Sequence, residues 1–130
     1  MLNPDGVLFV GDLSDGDLRI IKAIINIPLP IAVILGNHDR GRDRTGELLR
    51  VQLKLLGKLH CGWSYREWES PQVSVIGARP CSSGGGFFLS PEVVGAFGPI
   101  TIEESVKRIV LAAESAPDSR PLVILSHAGP

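Results

Sequence analysis

The residues that could do chemistry stand where apolar runs stop. Gly36-Asn37-His38-Asp39 follows directly on Ile31-Ala32-Val33-Ile34-Leu35. Asn37 offers an amide oxygen, His38 a ring nitrogen and Asp39 a carboxylate. Two other apolar runs end in the same way. Val7-Leu8-Phe9-Val10 leads into Gly11-Asp12, and Leu122-Val123-Ile124-Leu125 leads into Ser126-His127. Hard oxygen donors mixed with imidazole suit Mn²⁺, Fe or Zn²⁺ rather than Ca²⁺. Two such ions about 3.5–4 Å apart can clamp a phosphate and activate a water, and a carboxylate is the natural bridge between them. An imidazole beside such a centre can pass a proton to a departing oxygen, and a carboxylate can orient that ring. The spacing therefore predicts three strand ends converging on one metal-dependent, phosphoester-cleaving centre.

The elements that must bring these ends together read as an α/β pattern. The run at 7–10 is short, β-branched and aromatic, which predicts a strand buried on both faces. Residues 15–27 carry Leu18, Ile21, Ile24 and Ile25 at helical spacing, with Asp15 as N-cap and Pro28 as terminator. With the strand at 31–35 this makes a βαβ unit, whose strands should run parallel. A second helix is expected over 45–56, capped by Thr45 and closed by Gly57. Residues 59–61 suit a short strand. Residues 65–69 alternate and pair in a hairpin with 73–77 across Ser70-Pro71-Gln72. A long loop from 79 to 91 follows. A helix over 101–116, capped by Thr101, should bury Val106, Ile109, Val110 and Ala113. The run at 122–125 predicts a last buried strand. The expectation is a single α/β domain over 1–130: a sandwich with a mostly parallel sheet and an inserted antiparallel hairpin. In such sheets ligands sit beyond the carboxyl ends of strands, where Asp12, Asn37 and His127 all fall.

Composition narrows the classes. The chain has 130 residues, 44% apolar and 21% charged, as ordinary globular chains do. Thirteen basic and 14 acidic residues leave a net charge of −1, which gives no electrostatic case for nucleic acid or a membrane surface. No apolar run approaches a membrane span. No signal or transit peptide is legible at the N-terminus, so a cytoplasmic location is expected, or a plastid stroma for a longer form with its own transit peptide. Cys61 and Cys81 lack metal or redox spacing and read as small core or loop residues.

Gly11-Asp12-Leu13-Ser14-Asp15, then Gly36-Asn37-His38-Asp39, then His127 after a strand, resembles the calcineurin-like metallophosphoesterase superfamily. Its pattern runs D-x-H, G-D-x-x-D, G-N-H-[DE], a lone His, then G-H-x-H. The 25-residue step from Asp12 to Asn37 matches. The run at 33–39, with Ala78-Arg79-Pro80 and Ser126-His127-Ala128-Gly129-Pro130, is also similar to a subgroup seen in cyanobacteria and plants. The resemblance implies hydrolysis of a phosphoester substrate at two divalent metal ions (Mn, Fe or Zn). It implies that Asp12 bridges the metals and that Asn37 and His127 ligate one of them. His38 would be the proton donor, with Asp39 paired to it. Asp15 matches the last position of G-D-x-x-D but also suits a helix cap. No D-x-H precedes Asp12 and no G-H-x-H follows His127 in these residues. The chain is therefore expected to carry only part of the centre; the alternative is a non-catalytic remnant serving as a binding or regulatory module.

Other stretches carry simpler readings. His60, between apolar residues, reads as structural. Arg40, Arg42 and Arg44 could attract an anion, but with Asp43 and Glu47 nearby they read as a solvated loop. Gly84-Gly85-Gly86 lacks the lysine of a phosphate loop and reads as a flexible connection. Residues 12–17 lack the glutamate that would close a Ca²⁺ loop.

Overall fold

The computed structural model describes residues 2–68, 72–82 and 89–128. The glycine run at 84–86 and most of the turn expected at 70–72 lie outside them. In chain order the elements are β1 (Val7–Phe9), α1 (Leu18–Ile25), β2 (Ile31–Val33), α2 (Glu47–Leu56), β3 (Tyr65–Trp68), β4 (Val73–Gly77), α3 (Pro91–Phe97), α4 (Ile102–Glu114) and β5 (Leu122–Leu125). Single 3₁₀ turns occupy Asn37–Arg40 and Gly57–Leu59.

Capping chemistry sets where the helices begin. Asp17, not Asp15, caps α1: its carboxylate accepts from the Arg19 N–H at 2.9 Å. Asp15 instead sits in the turn before it, at a left-handed φ of 46°. Asp43 does the capping expected of Thr45, accepting from Leu48 N at 2.9 Å and Thr45 N at 2.8 Å. Those backbone donors hold its carboxyl down at about 2. Thr45 retains a weaker bond from Glu47 N. Thr101 caps α4 as expected, accepting from Glu104 N at 3.1 Å. The helix α3 begins where the expected long loop ends, at Ser90-Pro91-Glu92, a helix-start pattern.

Among the described residues two sheets form rather than one. β1 and β2 pair in parallel, Val7 opposite Ile31. β3 and β4 form the expected antiparallel hairpin, and β5 joins β4 in parallel. The short segment at 60–62 links the ladders, bridging His60 to Val33 and Gly62 to Gly77. Cys61 N donates to Val33 O at 2.8 Å, so the chain passes from one sheet to the other there.

The strand β2 and the residues after it are buried on both sides, because each side has its own cover. Ile31, Val33 and Leu35 pack with Ile21 and Ile24 of α1 and Leu49 and Leu56 of α2. Ala32 and Ile34 face the second sheet, against Trp68, Val75 and Leu125. Each such aliphatic side chain contributes about 1.5–3 kcal/mol on burial. α4 packs on β4, with Ser105 and Ala112 buried. The result is a sheet-on-sheet sandwich with helices outside, the expected α/β class.

Three burial expectations fail, two at sheet edges and one in the roll of a helix. β1 and β5 pair on one side only among the described residues, so they are edges, not central strands. Val10 is 51% exposed and Ile124 59% exposed. In α4 the helix rolls so that Ser105 and Ala112 face inward; Val106 and Val110 are left exposed.

Candidate metal centre

The carboxyl ends of β1, β2 and β5 meet. His127 Nδ1 lies 2.7 Å from Val10 O. A carbonyl can only accept, so Nδ1 carries a proton, and in the neutral ring Nε2 keeps its lone pair. Nε2 points at Asn37 Oδ1, 3.0 Å away, and at Asp12 Oδ1, 3.3 Å away. Asp12 Oδ1 in turn accepts the His38 backbone N–H at 2.8 Å. The structure thus brings Asp12, Asn37 and His127 together from three strand ends and two sheets.

Three lone pairs facing one point repel unless a positive charge sits among them. A second ring proton or a cation meets that need. The donor set, one carboxylate, one amide oxygen and one imidazole, fits a transition metal or Zn²⁺. Among the described residues no group of three His, Cys, Asp or Glu side chains stands together. The third member here is an amide.

Backbone geometry explains the glycines. Gly11 at φ 92° and Asp12 at φ 54° are both left-handed, which reverses the chain at the end of β1. Glycine does this freely; aspartate tolerates it at a cost of about 1–2 kcal/mol. Gly36 is different. Its φ of −95° suits any residue. A Cβ there would run into the backbone N and carboxylate of Asp12 and come within 2.8 Å of His127 Cε1. Gly36 is needed because the site closes over its Cα, not because the chain turns sharply there.

The His38 ring is exposed and has no hydrogen bond among the described residues. The expected partnership with Asp39 is not formed. Asp39 is fully buried, and its carboxylate faces the other way. Oδ1 accepts from Leu13 N at 2.7 Å and Ser14 N at 2.8 Å, with Ser14 Oγ 3.1 Å away. Oδ2 accepts from Gly36 N at 2.8 Å. Buried N–H groups need acceptors, and this carboxylate supplies them for the loop after β1 and the turn after β2 together. Asp39 therefore holds Asp12 and Asn37 in register.

A polar residue of α2 supports this clamp. Gln52 is fully buried in α2. It accepts from Ser14 Oγ at 2.8 Å and donates to Asp39 O at 2.6 Å. The signal was present: Gln52 falls between Leu49 and Leu56 on the apolar face of α2. Arg40, expected in a solvated loop, pairs with Glu92 of α3, and Arg44 lies 3.8 Å from the same oxygen. Burial pushes the Glu92 carboxyl up. Its own backbone N–H and the Arg40 guanidinium outweigh that and hold it below its ordinary value. Arg42 stays exposed. His60 is structural, accepting from Leu35 N at 3.3 Å, and burial lowers its ring to about 4. Cys61 and Cys81 are free and buried. Burial raises both thiols, Cys61 to about 11.

Acid, amide and imidazole side chains thus gather at the strand ends of an α/β sandwich. The sequence model of the calcineurin-like phosphoesterase family matches residues 2–130, and the chain belongs to that family. No curated protein and no solved structure matches the chain. Members of the family hydrolyse phosphoesters with divalent metals. Among the described residues no helix is long and apolar enough to cross a membrane.

Proposed function

We propose that Asp12, Asn37 and His127 form one side of a two-metal phosphoester-cleaving centre, with this chain as a single domain carrying that part of it. The convergence of three strand ends within 3.3 Å of His127 Nε2 supports the reading. Asp12 would bridge the ions, and Asn37 and His127 would hold one of them. Bound metal would polarise a phosphoryl oxygen and lower the pKa of a water. The chain's own residues do the rest. Val10 O fixes the His127 tautomer, so that Nε2 faces the site. The His38 backbone N–H orients the Asp12 carboxylate. The exposed His38 ring, carried on the turn after Asn37, donates a proton to the departing oxygen. Asp39 acts from below by fixing both loops.

The test is hydrolysis of an aryl phosphate ester with Mn²⁺. Turnover should require the metal and fall about 100-fold in His38→Ala, the lower range for loss of a general acid. Unchanged turnover in His38→Ala would remove that residue from the mechanism. Mn²⁺ binding through Asp12 without turnover would leave the ligands standing and overturn the catalytic reading.

A further inference from the structure

A pocket of 430 Å³ opens at the amino end of β2, away from the Asp12 cluster at its carboxyl end. Leu29, Pro30, Ile31, Leu59 and the Trp68 ring give it apolar walls. Arg66 and Glu67 of β3 complete its lining. Side chains alternate along a strand, so Arg66 shares the face of Trp68, the face that packs toward β2. Glu67 on the opposite face is held by Arg120 at 2.7 Å. Arg66 has no such partner: its Nη1 is buried and makes no hydrogen bond among the described residues.

We propose that this pocket binds a small organic oxyanion, a carboxylate or phosphate on an apolar body, through Arg66. A guanidinium stays charged and presents its donors as a rigid fork that matches two acceptor oxygens. Nη1 has no acceptor among the described residues to hold it, which leaves the guanidinium free to turn its fork toward a ligand in the pocket that Arg66 lines. The volume lies within the range of small-molecule sites, which combine apolar walls with few polar anchors. An inward charge also discourages further pairing of β3, which pairs with β4 alone among the described residues. That role needs neither a pocket nor an orphaned Nη1. The pocket is separate from the proposed metal centre and does not rest on its reaction.

The chain has two tryptophans, and Trp63 lies outside this pocket, so the two indole N–H resonances give a signal and an internal control. We would titrate phenylacetate, phenyl phosphate and inorganic phosphate and follow both resonances. The expected result is a saturable shift of Trp68 alone with at least one organic acid. Inorganic phosphate should bind at least tenfold more weakly, because it leaves the apolar walls unfilled. The tighter of the two acids names the acid group. Arg66→Gln should weaken binding tenfold or more, and Leu29→Trp, which fills the pocket but keeps the guanidinium, should abolish it. His127→Ala should leave it unchanged. No saturation with either organic acid overturns the proposal. So does equal affinity in folded Arg66→Gln, or, should that variant not fold, in Leu29→Trp; Arg66 would then serve only the strand edge.

Discussion

Replacing Asp39 by asparagine separates two roles that the sequence motif alone does not distinguish. In the structure its two oxygens take three backbone donors: Leu13 N, Ser14 N and Gly36 N. Asparagine keeps a single oxygen. Its best orientation serves Leu13 and Ser14 and turns an NH₂ group against the Gly36 N–H. One charge-assisted bond is then lost, worth about 1.5–3 kcal/mol, and a buried donor is left without an acceptor. The remaining bonds weaken because the acceptor is no longer charged. The expected cost is about 3–4 kcal/mol, a large part of the roughly 5–15 kcal/mol that holds such a domain. Urea unfolding followed by circular dichroism reads it directly. With a slope of about 2 kcal/mol per molar, the midpoint should fall by about 1.5–2 M. Had Asp39 served to balance charge on the His38 ring, Asp39→Asn would keep its stability and change the pH profile of turnover. The structure predicts the reverse, lower stability with the profile kept. A midpoint shift under about 0.5 M would refute the clamp.

Further outcomes follow from neighbouring contacts. His60 is held neutral, its ring lowered by burial from 6.5 to about 4. The unfolded chain therefore takes up a proton below 6.5 that the folded chain refuses, and stability falls as pH drops from 6.5 to 4. At about 1.4 kcal/mol per pH unit the loss reaches about 3 kcal/mol, and His60→Gln should flatten that part of the stability–pH curve. Glu92→Gln leaves Arg40 beside a neutral amide. A cost of about 2 kcal/mol is expected in urea unfolding, below that of a fully buried pair because Arg40 is partly exposed. Restoration by Arg40→Met together with Glu92→Leu would confirm that the loss came from the stranded charge. Gly36→Ala should lose Mn²⁺ binding, since its Cβ would displace the Asp12 carboxylate; calorimetric binding equal to the parent protein would show that the loop can yield.

Much of this fold is legible in the residues because apolar runs and breakers agree. Gly6, Gly11, Pro28 and Gly36 bracket β1, α1 and β2, and both sides of β2 are apolar. Edge and centre are not legible. Val7-Leu8-Phe9-Val10 and Leu122-Val123-Ile124-Leu125 read as buried on both faces, but neighbours decide that, not composition. The roll of α4 is decided likewise by its contact with β4, which selects Ser105 and Ala112 over Val106 and Val110. At the site, Asp12, Asn37 and His127 could be named as a set because each ends an apolar run. The direction of Asp39 could not be read, since a carboxylate after His38 suits either a charge partner or a backbone clamp. Only the burial of the Leu13 and Ser14 amides settles it. Gln52 was readable in principle, as a polar residue on an otherwise apolar helix face.

The most direct test of the central claim is calorimetric titration of Mn²⁺ into the protein and into Asp12→Ala, Asn37→Ala and His127→Ala, with His60→Gln as control. If the three strand ends make one cation site, each of the three should weaken binding by tenfold or more, and the control should leave it unchanged. Equal affinity in the parent and all three site variants would contradict the account.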